Sequence, residues 1–245
     1  MRAQEKAAID NLNEVKEVFD KLGIRCWLDW GTLLGAVRDG KLIEWEHDVD
    51  LGTMEDWEKI ASAVPKLERR GFTVFMEEIK IDENLFDRRV HLQKSGSLVD
   101  VIPYQVKGNQ ALWMLSESSS RYSQILKVLY HALQSQKMHI GSPRWKFVVG
   151  SSRRGLLVLP PGLKKRLSGV VWRAWKVSDT KVLQIAIPKH YFEKLRTINF
   201  YGKTFKIPAD AEGYLEYHYG KNWRTPKKEW DWQKEDGTVK EVITK

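Results

Sequence analysis

The chain has 245 residues, 42% hydrophobic and 30% charged, the balance of a soluble globular protein long enough to bury a substantial core. Its net charge of +9 is unevenly spread: residues 1–100 carry 15 Lys and Arg against 21 Asp and Glu, residues 101–182 carry 14 against 2, and residues 183–245 carry 12 against 9. A single cysteine excludes an internal disulfide, no stretch reaches transmembrane length and the N-terminus has no apolar leader; a cytoplasmic setting is expected, without a cleaved signal if the chain is complete.

Ile9, Leu12, Val15, Val18, Phe19 and Leu22 recur at three- and four-residue steps and predict an amphipathic helix that Gly23 ends. Cys26, within an apolar stretch, reads as a buried free thiol. Residues 25–30 predict a strand, 32–37 a short helix directly after Gly31, and Asp39-Gly40 a turn. Residues 42–45 and 48–53 read as extended, and 55–70 as a helix that Pro65 kinks or shortens. Strands are expected at 72–77, 88–93 and 98–104, the last two joined as a hairpin through 94–97. Beyond Tyr104 the pattern weakens. Residues 116–120 read as a polar loop or helix start and 122–138 as a helix. Pro160-Pro161-Gly162 interrupts the basic stretch 144–181, which holds Arg153-Arg154, Lys164-Lys165-Arg166 and Leu156 to Leu159. Residues 200–208 predict a tight hairpin, 209–219 a helix and 220–223 a loop.

Three acids give this pattern its chemistry. Alternate residues of a strand share a face, so Asp48 and Asp50 point the same way while Val49 turns into the core. Like charges held side by side are costly unless a cation lies between them. With Asp100 on another extended segment, the reading is an all-oxygen site for a hard divalent ion, Mg²⁺ first and Mn²⁺ second; the plain alternative is a solvated acidic turn. His47 should face away from the acids in a regular strand, in a structural role. The six histidines and one cysteine lack zinc spacing. Gly31-Thr32, at a strand-to-helix junction, offers backbone N–H groups and a hydroxyl suited to phosphate, although such pairs also cap helices. Arg38 suits a phosphoryl group or an ion pair with Asp39 or Glu46.

Residues 27–50, containing GTLLGAVR and IEWEHDVD, resemble the signature of the LicD/fukutin family of phosphotransferases, G-T-L-L-G-x-x-R followed by I-P-W-D-x-D-x-D. The tail around Phe205 to Leu215 and Tyr219-Gly220-Lys221-Asn222-Trp223 is similar to that family's closing motif, a proline-headed helix followed by Y-G-D-W. Glu44, Glu46 and Asn222 depart from the pattern, standing where the family usually has proline, aspartate and aspartate. The resemblance implies an α+β, nucleotidyltransferase-like mixed sheet flanked by helices. It also implies transfer of a phosphorylated alcohol, such as phosphocholine or an alditol phosphate, from a CDP-linked donor to a glycan hydroxyl. On this reading Asp48, Asp50 and Asp100 bind the metal and are catalytic, and Arg38 neutralises the phosphoryl group. Gly31 and Thr32 contact phosphate, and Trp45, Glu46, Tyr219 and Trp223 are further substrate contacts.

The expected organisation is a catalytic core over 1–110, a basic, tryptophan-containing and mostly helical segment over 111–182, and a hairpin-helix segment over 183–245 that closes the site. Trp172 and Trp175 among basic residues suit peripheral contact with an anionic membrane at its inner face, near a lipid-linked glycan; a solvated basic face over a tryptophan-rich core is the alternative. Two other enzymes fit the acids, a nucleotidyltransferase and a D-x-D glycosyltransferase using a sugar nucleotide. Positive charge with aromatics also suits nucleic-acid binding, but no recognition helix, RNP-like strand or zinc module is evident, and no nucleic acid is expected as a partner.

Overall fold

The computed structural model describes residues 3–46, 48–118, 120–134, 159–178 and 180–242. These described residues form an α+β protein of two compact units: those within Met1–Val74, Arg89–Trp113 and Gln184–Lys240 make the first, and those within Phe75–Arg88, Met114–Leu183 and Glu241–Lys245 the second. Residues 75–88 thus pack with the middle segment rather than with the N-terminal hundred.

The first unit is a mixed sheet flanked by helices. Helix α1 (Ala3–Lys21) buries Ile9, Leu12, Val15, Val18 and Phe19, the periodic face of the sequence, and Gly23 ends it at φ +65. Strand β1 (Cys26–Leu28) is antiparallel to β2 (Asp48–Thr53), with helix α2 (Trp30–Arg38) between them in the chain. β2 alternates half-buried Asp48 and Asp50 with buried Val49 and Leu51, and runs parallel to β5 (Ser97–Pro103). Helices α3 (Trp57–Ala61) and α4 (Val64–Arg69) replace the single helix expected there; Pro65 sits in the first turn of α4, where its missing N–H costs nothing. Residues 42–45 form no strand, contrary to the expected extended segment: Leu42 and Ile43 are irregular and Glu44-Trp45 form a turn.

Strand β3 (Thr73–Asp82) pairs with β4 (Leu85–Lys94). β4 pairs antiparallel with β5 through a two-residue turn, Ser95-Gly96, both at positive φ, the conformation a tight hairpin needs. A further hairpin follows, β6 (Gln105–Lys107) with β7 (Gln110–Ser118).

In the second unit, α5 (Arg121–Leu133) starts on the Ser120 cap and packs with α6 (Pro161–Lys176), whose first residue is the proline that breaks the preceding stretch. Ile79, Ile81, Met114, Leu126, Trp175 and Val182 form their shared core. Strand β8 (Thr180–Pro188), absent from the sequence reading, leads to the short helix α7 (His190–Glu193). The first unit then takes β9 (Leu195–Phe200) and β10 (Lys203–Pro208), an antiparallel hairpin turning at Tyr201-Gly202. Helix α8 (Ala211–Tyr219), helix α9 (Trp232–Glu235) and β11 (Val239–Val242) follow. His47, Met138, Arg153-Arg154 and Leu156 to Val158 lie outside the described residues.

Candidate active site

Parallel pairing of β2 with β5 sets Asp50 directly opposite Asp100, and Asp48 lies two residues earlier on the same face as Asp50. One carboxylate oxygen from each of the three acids lies within 4.8 Å of the others. Burial pushes the Asp50 carboxyl well above the usual carboxylate range, and the charges of Asp48, Asp100, Asp29 and Glu46 push it further. Such a cluster is held together against its own repulsion by strand pairing, and a divalent cation is its natural counter-charge. Oxygen-only donors at this spacing suit a hard divalent ion. On β4, opposite Asp100, His91 places Nδ1 2.7 Å from Asp100 Oδ1.

The N-terminus of α2 is fixed to this floor by a carboxylate the sequence reading did not single out. Asp29 is fully buried and caps α2, accepting from the Trp30 N–H at 2.9 Å. Its two oxygens also accept from the hydroxyls of Tyr104 at 2.9 Å and Tyr214 at 2.7 Å, while its own N–H donates to Asp50 O at 3.1 Å. Burial raises the Asp29 carboxyl, and the Tyr214 hydroxyl, the Trp30 N–H, His218 and the Tyr104 hydroxyl pull it back. Trp30 adopts φ +44, a left-handed conformation rare for a bulky residue, and its indole N–H donates to the Tyr104 hydroxyl at 3.1 Å.

A cavity of about 740 Å³ in the first unit is lined by Asp48, Asp50 and Asp100 together with Gly31, Arg38, Trp45, Glu46, Tyr219 and Trp223. Of the residues singled out in the sequence, Thr32 alone is placed elsewhere. It is buried, and its hydroxyl oxygen accepts from the Asp50 N–H at 2.8 Å. Because α2 already begins at Trp30, Thr32 sits inside the first turn and ties the helix to β2. Gly31 leaves space beside Glu46: a Cβ there would meet Glu46 Cδ at 3.3 Å. Arg38 has its side chain almost buried and is gripped by both oxygens of Asp39, at 2.9 and 2.7 Å. Burial raises the Tyr219 hydroxyl well above its usual value, followed by the charges of Asp50, Glu46, Asp29 and Asp236.

The rest of the wall escaped the sequence reading because its parts are far apart in the chain. Trp113, Trp230 and Trp232 join Trp30, Trp45 and Trp223 around the cavity, and Arg89, His91, Lys227 and Lys228 supply basic groups. Trp30 meets Trp113 and Trp232 edge-on, with centroids 5.6 and 6.0 Å apart. Tyr219 packs on Trp230 at 4.6 Å, and Lys227 pairs with Glu235. A tryptophan-rich tail after the Y-G-x-W motif was the one available hint.

The class defined by this geometry is an α+β protein whose mixed sheet presents three carboxylates to an aromatic-walled cavity. Residues 23–140, just under half of the chain, match the family model described as LicD/FKTN/FKRP, nucleotidyltransferase domain, and over that segment the chain is similar to this family. The ribitol 5-phosphate transferase FKRP of Homo sapiens is 36% identical over 106 residues, covering 40% of this chain and 20% of that protein. An uncharacterized protein of Rickettsia prowazekii is 37% identical over 67 residues, 27% of this chain and 25% of that one. The chain thus matches a fifth to a quarter of the length of these relatives. Among solved structures, the antibiotic-resistance factor ANT(2'')-Ia aligns over 70% of this chain and 92% of its own at 14% identity, a distant likeness with a TM-score of 0.32.

Proposed function

We propose that the protein is a metal-dependent transferase that moves a phosphorylated alcohol from a CDP-linked donor to a glycan hydroxyl and releases CMP. The observation that carries this reading is the convergence of Asp48, Asp50 and Asp100 in a cavity that Gly31 and Arg38 also line. The human relative, named for ribitol 5-phosphate transfer, favours an alditol phosphate as cargo.

Asp48, Asp50 and Asp100 would hold Mg²⁺ or Mn²⁺, which supplies charge for the diphosphate and for the leaving CMP when bound. Arg38, its guanidinium oriented by Asp39, offsets charge on the phosphoryl group in transit, with Arg89, Lys227 and Lys228 adding positive potential in the same cavity. Gly31 allows close approach of a phosphate. Trp45, Glu46, Tyr219 and Trp223 contact the donor. Asp100, held by His91, or a carboxylate near it, orients or deprotonates the acceptor hydroxyl as its oxygen attacks the distal phosphorus in line; the bond from that phosphorus to the bridging oxygen breaks and CMP departs. The partners on this reading are a CDP-linked donor and a glycan or lipid-linked glycan, without nucleic acid, at the cytoplasmic side of a membrane.

Incubation with a panel of CDP-alcohols, a glycan acceptor and Mg²⁺ tests the proposal by product. CMP is expected, and Asp48→Asn or Asp50→Asn should lower its release at least about a hundredfold while the circular dichroism spectrum is kept. Release of pyrophosphate would mark a nucleotidyltransferase, and a nucleoside diphosphate from a sugar nucleotide would mark a glycosyltransferase; either overturns the reading.

A further inference from the structure

Helix α6 of the second unit has an outward face that the packing among the described residues leaves unused. Its inner side is committed: Trp175 is buried in the core with Ile79, Ile81 and Met114, and the Trp172 indole N–H donates to Lys80 O at 2.7 Å. Leu163, Leu167 and Val170, by contrast, are exposed, Val170 to 56%. At 3.6 residues per turn these three fall within an arc of roughly 60°, and Arg166 and Arg173, both exposed, lie along one border of it. Tyr122 and Ile125 are exposed in the first two turns of the neighbouring α5. Helices α5 and α6 together hold seven Lys and Arg and no Asp or Glu.

Single exposed leucines need no account, but an aligned apolar stripe with arginines beside it, on helices without one acid, is the pattern of a helix lying in a bilayer interface. Nucleic acid would use the charge and leave the stripe unsatisfied. We propose that the outer face of α6 docks on an anionic lipid surface: Leu163, Leu167 and Val170 enter the headgroup boundary, and Arg166 and Arg173 meet lipid phosphates. No helix among the described residues is long and apolar enough to cross a membrane, so α6 would lie on the surface rather than span it. The inference does not depend on the reaction proposed above, and its test reads binding alone.

The full chain is sedimented with vesicles of phosphatidylcholine, with and without an added anionic phospholipid. Binding is expected only to the anionic vesicles at low salt, and it should fall as salt rises. Leu167→Gln with Val170→Gln, which leaves the charge unchanged, and Arg166→Gln with Arg173→Gln should each weaken it about tenfold or more. Lys66→Gln with Lys203→Gln, an equal loss of charge at exposed positions of the first unit, should change it less than about threefold. Melting curves matching wild type separate lost binding from lost folding; if a variant does not fold, the lipid and salt dependence of the wild-type chain decides. Failure to sediment with any vesicle overturns the proposal. So does binding that survives both face variants, or a face whose substitution abolishes only self-association or nucleic-acid binding.

Discussion

Asp50 shows how one residue can be both the centre of a site and a burden on the fold. Its backbone is fully used, the N–H held by Thr32 Oγ1 and the carbonyl by the Asp29 N–H. Its carboxyl, however, is pushed up by burial and by four neighbouring acids. A carboxyl raised in the folded state binds a proton that the unfolded chain has already released. Its contribution to stability is therefore largest at low pH and declines as pH rises from the ordinary carboxylate value through the raised one. In metal-free buffer Asp50→Asn should flatten that decline and raise the melting temperature at neutral pH, read by thermal melts between mildly acidic and neutral conditions. A melting temperature equal to or below wild type at neutral pH would show that the acids do not strain one another.

At the scale of elements, β1, α2 and β2 form a single device for aiming the acids, and Gly52 is where it is tightest. A Cβ on Gly52 would stand 2.4 Å from Asp29 Oδ2 and 2.5 Å from Trp27 Nε1, both deep in the core, so Gly52→Ala should cost about 1–3 kcal/mol in urea titrations. Gly31→Ala meets only the movable end of Glu46, at 3.3 Å, and should cost less than about 0.5 kcal/mol while lowering turnover, because the added methyl stands at the cavity wall. A large stability loss at Gly31 and none at Gly52 would contradict this division. The device was partly legible in the chain. Alternation around Val49 and Leu51 announced β2, and the Ser95-Gly96 turn announced the hairpin that brings His91 beside Asp100. Asp29 was hidden, since a buried carboxylate is recognised by its donors, and Tyr104 and Tyr214 stand 75 and 185 residues away. Residues 42–45 misled because Leu42, buried Ile43 and Trp45 fit an irregular segment ending in a turn as well as a strand.

For the whole molecule, charge and aromatic content are unevenly distributed between the two units. The first unit gathers acids on the paired strands β2 and β5 and lines the space before them with tryptophans that include those of α2, β7 and the tail. The second unit carries α5 and α6, whose Lys and Arg face no acid on either helix. Composition revealed this asymmetry, whereas the assembly of the cavity wall did not show, because Trp113 and Trp232 meet Trp30 only through long-range folding. The account rests throughout on Asp48, Asp50 and Asp100 acting together on a divalent ion. Isothermal titration of the full chain with Mn²⁺, read alongside the Mn²⁺ electron paramagnetic resonance signal, tests this most directly. Saturable binding that Asp50→Asn weakens at least about tenfold and Asp100→Asn weakens likewise is the predicted result; no binding, or binding that both variants retain at full strength, would contradict it.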